Sequence, residues 1–256
     1  MKYFIIIFLI ITMIGCKEQV RKQPQAVTPE IGELTGFFSI CKTDIKKAVK
    51  IVSDYKMVAN LTHLRRMDTG GKKYYILERD NLTEMIMAVT EGTYSDLILI
   101  NKSGFIIYTM KNNDLFGKHV KHHYKDTSLL NCFNRSMNGF HIEDVSMFPD
   151  ENGQPSVLVA YPDIGENQVR GVFIIQIDTE IISSILKNES IVIGTDGKYR
   201  IDKNPDNLYK PYLYFNKIDT EKLKAQQKFQ FKNEGKIYTC YPFSYNILDW
   251  IIIYPE

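Results

Sequence analysis

Cysteine is scarce in this chain. Cys16, Cys41, Cys132 and Cys240 are the only four in 256 residues, and none of them is paired at the short spacing of a metal site. Cys16 stands apart at the end of the N-terminal apolar segment, and the other three, widely spaced, allow one disulfide at most. Buried free thiols are the reading we favour, although spacing alone leaves pairing open. Charge of one sign is also lacking: 32 basic residues face 30 acidic ones, for a net charge of +2. That excludes the broad basic footprint of a nucleic-acid binder. Long hydrophobic runs are missing too. Residues 3–14 form the longest, short of the roughly 20 needed to span a bilayer, and the apolar stretches at 169–177 and 248–254 have strand length and β-branched content. The signatures of common catalysts are absent: no Gly-x-Ser-x-Gly elbow, no His-Glu-x-x-His helix and no phosphate-cradling glycine loop. Glu143 and Asp144 sit side by side on an expected strand, which sends them to opposite faces. A binding role is therefore expected rather than an enzyme, with no cofactor.

What is present begins at the N-terminus. Lys2 precedes the apolar run, and Met13-Ile14-Gly15-Cys16 follows it. This has the form of an export leader, and its end resembles a bacterial lipobox, with methionine at the usual leucine position. The resemblance implies cleavage before Cys16 and lipidation of that cysteine. More than one acyl chain, at roughly 0.8 kcal/mol per buried methylene, would hold the protein on a membrane without crossing it. Residues 17–33 are polar and aperiodic and are expected to form a flexible tether.

The body of the chain carries one device twice. Ser95-Asp96-Leu97-Ile98-Leu99-Ile100-Asn101-Lys102-Ser103-Gly104-Phe105 and Ser190-Ile191-Val192-Ile193-Gly194-Thr195-Asp196-Gly197-Lys198 are each a β-rich run and a polar turn ending in glycine. Each continues into a second β-rich run, so each predicts a hairpin. Two such hairpins predict two tandem sheet domains, a layout that suits sensors. Ahead of them, Phe38, Cys41, Ile45, Val49 and Val52 recur at helical spacing, predicting one helix over 34–66, about 50 Å long at 1.5 Å per residue. Asp68-Thr69-Gly70-Gly71 is expected to end it, and 82–90 to form a short second helix. A helix at 128–137 and strands at 139–147, 156–161 and 170–178 follow. They complete a five-stranded antiparallel sheet with helices on one face. Residues 179–187 should link into the second hairpin, and 229–240 and 249–254 should supply the remaining strands of a smaller sheet.

Five stretches in this order resemble a double Cache domain, the extracytoplasmic ligand-binding region of many bacterial chemoreceptors and sensor kinases. They are Asp96-Leu97-Ile98-Leu99-Ile100-Asn101-Lys102-Ser103-Gly104, Gln154-Pro155-Ser156-Val157-Leu158-Val159-Ala160-Tyr161-Pro162, Gly171-Val172-Phe173-Ile174-Ile175-Gln176-Ile177, Ile193-Gly194-Thr195-Asp196-Gly197-Lys198-Tyr199-Arg200-Ile201-Asp202 and Asp249-Trp250-Ile251-Ile252-Ile253. The resemblance implies an α+β fold in which a long N-terminal helix carries two tandem PAS-like antiparallel-sheet domains. In this chain they would be a membrane-distal ligand domain at 34–188 and a smaller membrane-proximal domain at 189–256. Amino-acid-binding members carry an Arg-x-x-Trp-Tyr-like motif and a later aspartate. This chain has His122, His123 and Tyr124 in the first region and Gln176 at the second, so pairing with an α-ammonium by that mechanism is not expected.

Candidate ligand-binding residues are Tyr108, His123, Tyr124, Tyr161, Asp163 and Gln176, with satisfied core or edge positions as the competing reading for each. His119, His122 and His123 lie in a basic cluster. Adjacent imidazoles on an extended chain would diverge, so a solvated loop is expected there ahead of a metal site. Two functional readings remain. One is an exported, lipid-anchored sensor-type protein that binds a small polar or anionic metabolite and reports to a chemoreceptor or sensor kinase, possible also as a homodimer through the long helix. The other is an envelope or adhesion scaffold with the same fold and no small ligand.

Overall fold

The computed structural model describes residues 28–67, 69–150, 153–187 and 190–256. The leader, Cys16 and residues 17–27 of the expected tether lie outside the described residues. The end of that tether is already helical, because α1 spans Pro29–Asp54. Thr28 Oγ1 accepts from Ile31 N at 3.4 Å, Pro29 fits the first turn and Glu30 adds a carboxylate there. These are three local signals of a helix start.

The helix expected over 34–66 is broken in two. Lys56 adopts a left-handed φ of 54°, and α2, Met57–Arg66, starts directly after it. Val52 and Met57 are both buried, yet on one straight helix a five-residue step rotates the side chain by roughly 140°. The break keeps both on the core. The Gly70-Gly71 pair does not stop a helix either. It falls near the start of α3, Thr69–Met87, which replaces the short helix expected over 82–90. Buried Tyr75, Leu82 and Ile86 lie at helical spacing along α3. Their burial, at about 1.5–3 kcal/mol each, outweighs a cost of about 1 kcal/mol per glycine.

The first sheet contains β1 (Asp96–Asn101), β2 (Ile106–Thr109), β3 (His141–Met147), β4 (Pro155–Gly165) and β5 (Gln168–Asp178). The second contains β6 (Ile191–Gly194), β7 (Tyr199–Ile201), β8 (Phe229–Asn233), β9 (Lys236–Tyr245) and β10 (Leu248–Pro255). Both are antiparallel, and their orders, β2-β1-β5-β4-β3 and β7-β6-β10-β9-β8, are the same topology. β4 runs through Pro162, Asp163 and Ile164, where composition predicts a turn. The turn is made instead by Glu166 and Asn167, at φ 50° and 61°.

Helices cover both faces of the first sheet, not one. Leu97, Leu99, Val157, Val159, Phe173 and Ile175 face the α1–α3 side. Ile98, Ile100, Leu158, Ala160, Val172 and Ile174 face α5 (Ser128–Ser136) and the one-turn α4 (Val120–His123). This period-2 division explains why β1 is buried at every position. α1 is the spine of the molecule. Its C-terminal half packs on β4 and β5, and Phe38 near its start meets Phe243, Tyr245 and Trp250 of the second sheet. Buried Asp44 ties the spine to the chain entering β1, accepting from Glu91 N, Gly92 N and Tyr94 Oη at 2.7, 2.9 and 2.6 Å. Cys41, Cys132 and Cys240 are free and buried. No helix among the described residues is long and apolar enough to cross a membrane.

Candidate functional site

The two hairpins match in detail. Gly104 and Gly197 close their turns at φ +88° and +76°, a conformation that favours glycine. Each hairpin also has a register shift, between Leu99 and Ile100 in one and between Val192 and Ile193 in the other. After each, the chain makes a 3-10 turn capped by an asparagine, Asn112 before Asn113–Leu115 and Asn204 before Pro205–Asn207. It then returns to the hairpin tip, where Val120 N donates to Gly104 O and Tyr212 N to Gly197 O, both at 2.8 Å. The duplicated unit is therefore longer than the hairpin. Its sequence signal, Lys-Asn-x-Asp-x-x-x-Lys at Lys111 to Lys118 and again at Lys203 to Lys210, is absent from a reading that stops at the hairpins.

In the first module this loop walls a cleft of about 650 Å³, lined by Lys111, Asn112, Asp114, Lys118, Tyr124 and Asp150 among others. The wall is fixed from behind. Asp96, 3% exposed, accepts from Met110 N at 2.9 Å, Lys111 N at 3.0 Å and Asn112 N at 3.2 Å, besides Leu97 N at 2.7 Å. Burial pushes its pKa up against the pull of these N–H groups. Asn112 spans the cleft, with Nδ2 donating to Asp150 Oδ2 at 2.9 Å. Lys111 Nζ donates to Tyr94 O at 3.0 Å, and Arg79 supports the turn through Asn113 Oδ1.

Tyr124 sits at the cleft with its ring buried. Its hydroxyl makes no hydrogen bond of normal geometry among the described residues, and burial pushes its pKa up. Lys118 Nζ lies 6.0 Å from the ring centroid and forms no ion pair among the described residues. The cleft therefore brings together an ammonium, an amide, a phenol and the carboxylates of Asp114 and Asp150. Such a set can both donate and accept charge-assisted hydrogen bonds.

The six candidate residues do not converge. Tyr124 alone lines this cleft. Tyr108 lies in the core on the α1–α3 side of the sheet, 2.9 Å from Thr83 Oγ1. Tyr161 is half-buried with Lys46 Nζ 5.7 Å from its ring centroid. Gln176 Nε2 donates to Ser156 Oγ at 3.1 Å and Asp178 Oδ1 at 3.0 Å. Asp163 belongs to another cleft, where Arg170 holds it through Nε at 2.9 Å and Nη2 at 2.6 Å. His123 is exposed, its Nδ1 3.1 Å from His119 N. It stands with His122 on a helical turn, not on extended chain, because His119 caps that turn through Nδ1. Among the described residues no group of three metal-ligating side chains could hold an ion. Cys16 lies outside the described residues.

The sheet behind the cleft is filled on both faces, so space for a guest is at the rim of the module and not on the sheet itself. Lys111, Asn112 and Asp150 are missed in the sequence reading because their positions depend on Asp96 and on the β3–β4 connection.

No protein-family model matches the chain, and no curated protein matches it by sequence. Solved structures do resemble it. An extracellular ligand binding receptor from Desulfohalobium retbaense superposes with a TM-score of 0.62 at 12% identity, covering 88% of this chain and 38% of that one. The periplasmic sensory domain of the Campylobacter jejuni chemoreceptor Tlp1 gives 0.58 at 15% identity, over 88% and 90% of the two chains. The sensor domain of the Vibrio cholerae histidine kinase DctB gives 0.56 at 13%, over 89% and 95%. At such identities the likeness speaks for the fold, and it agrees with the helical spine and the two sheets of one topology: this chain has the double Cache fold.

Proposed function

We propose that this chain is an exported sensor domain that binds a small polar or anionic metabolite in the cleft beside Tyr124 and reports its occupancy to a membrane partner such as a chemoreceptor or sensor kinase. The observation that carries the reading is the Asp96-fixed loop. It places Lys118 against the buried Tyr124 hydroxyl in the lining of the cleft. Supporting it, the solved structures of similar fold include a domain of the Pseudomonas fluorescens chemoreceptor CtaA in complex with L-isoleucine and one of a Pseudomonas aeruginosa amino acid chemoreceptor in complex with GABA. The Met13 to Cys16 sequence supports lipid anchoring, and an extracytoplasmic location accords with an export leader. The ligand would be bound and released unchanged.

Thermal melting of the full-length chain against a metabolite panel tests this. A ligand at about a hundred times its Kd adds about 2.7 kcal/mol to stability. The stabilising compound should lose most of its effect on Lys118→Ala, while the unliganded melting temperature stays put because that side chain is a partly exposed rim group. One observation favours a second reading, an envelope scaffold: both faces of the first sheet are filled by side chains. If no compound shifts the melt and a defined protein partner binds, the scaffold reading replaces the sensor. Replacing Cys16 by serine and following incorporation of a labelled fatty acid tests the anchor; label retained on the variant rejects lipidation at that residue.

A further inference from the structure

A second cleft, of about 560 Å³, opens where α1 breaks into α2. It is independent of the first: Asp96, at one end of β1, fixes the first cleft, and Asn101, at the other end, lines the second. Its floor is apolar, made by Val52, Val58, Ala59 and Val169. Its charge is lopsided. Lys56, Arg66, Lys102 and Arg170 line it against Asp163 and Glu166.

Arg170 is already accounted for. It clamps Asp163, which is 1% exposed, and reaches Ser53 Oγ of α1 at 2.5 Å, so this pair builds the wall and leaves little charge over. Lys56, Arg66 and Lys102 are different. They come from three separate places, the helix break, the end of α2 and the β1–β2 turn, and none forms an ion pair among the described residues. Gathering like charges around a concave surface costs free energy that a bound anion would relieve. Two of its walls are fixed by local backbone geometry, the left-handed Lys56 at the helix break and the two-residue β4–β5 turn at Glu166 and Asn167.

We propose that this cleft binds a small organic carboxylate with an apolar body, its carboxylate held by Lys56, Arg66 and Lys102 and its body lying on Val52, Val58, Ala59 and Val169. The anion adds to the single charge of Glu166 against the three cations, and the apolar body covers apolar lining otherwise left to water. Lys102 is anchored for this task by its backbone, whose N–H donates to Arg170 O at 2.8 Å, so the wall and the cation move together.

Calorimetric titration of the full-length chain with benzoate and isovalerate, beside neutral benzyl alcohol, tests the proposal. At least one carboxylate should bind saturably and the alcohol should not. The double variant Arg66→Ala/Lys102→Ala should weaken carboxylate binding by about tenfold or more, and added salt should weaken it in the wild type. Both residues are exposed, so the variant should melt as the wild type does. Ala59→Glu, also at an exposed helical position, should abolish binding by placing a carboxylate on the floor. Saturable binding of neither carboxylate, or equal affinity in wild type and double variant, overturns the proposal. Loss on Lys118→Ala with the double variant unaffected also overturns it, by placing the anion in the first cleft and leaving the sensor reading intact. Failure of that reading, with no Lys118-dependent ligand found, leaves the carboxylate result standing.

Discussion

The two modules share one topology and differ in what covers it. In the first, α1–α3 close one face and α4 and α5 the other, so β1 and β2 are buried throughout. In the second, the N-terminal part of α1 covers one face, while the other has only the five-residue α7 (Thr220–Lys224) and coil carrying Tyr212 and Ile218. β8 and β9 accordingly mix buried and exposed positions. The same capped 3-10 loop also serves two ends. In the first module it walls the cleft. In the second, Tyr209, at its tip, donates to Val145 O of the first sheet, and Arg200, at the register shift of its hairpin, donates through Nε to Asp144 Oδ2 at 2.6 Å. A bulge leaves one residue unpaired, breaks the ladder locally and re-aims that residue's side chain. A duplicated backbone thus gives a binding rim in one copy and a docking contact in the other.

The sharpest test of this contrast is whether the modules share one core through the spine. Phe38→Ala removes a fully buried ring that touches three aromatic residues of the second sheet and should cost about 3–5 kcal/mol. Urea unfolding should remain a single transition displaced as a whole. An early, separate transition of the second module would mean that the modules are independent. Asp144→Ala should cost less, about 1–3 kcal/mol, by leaving Arg200 Nε and Trp250 Nε1, which donates at 2.8 Å, without their acceptor. Hydrogen exchange should then quicken in β6 and β7 and stay unchanged around β1. Equal loosening of both sheets would argue against a docking role for that loop.

The smallest effect concerns Asp96, the anchor of the cleft loop. Its pKa is raised from 3.8 by burial, so the folded state holds a proton that the unfolded chain has released. The stability it contributes is complete below 3.8 and declines as pH rises through the raised value. Urea midpoints of wild type and Asp96→Asn across that range should therefore converge or cross as pH increases and then run parallel. A difference independent of pH would show that Asp96 titrates alike in both states.

Much of this architecture is legible in the chain. The glycines of both hairpins, the apolar stripe from Phe38 to Val52 and the strand-length apolar runs of β4 and β5 each follow from local rules of period and turn chemistry. The misreadings share a cause. Thr28-Pro29-Glu30 is a helix start inside a polar segment, and Gly70-Gly71 is carried by a helix whose Tyr75, Leu82 and Ile86 find partners far away in sequence. Lys56 breaks a helix without glycine or proline because the core on either side demands it. The candidate site suffered most. Tyr108 and Tyr124 look alike as aromatic residues on β-rich or basic stretches, yet they fall on opposite sides of one sheet.

By itself, then, the sequence determined the repeated hairpins, the amphipathic spine and the near-neutral surface, since each rests on residues close together along the chain. Only the tertiary structure decided which charged groups come together. Asn112 meets Asp150 and Arg170 clamps Asp163, while Lys56, Arg66 and Lys102, far apart along the chain, line one cleft. Pairing of charges depends on distances through space, and no spacing along the chain encodes them.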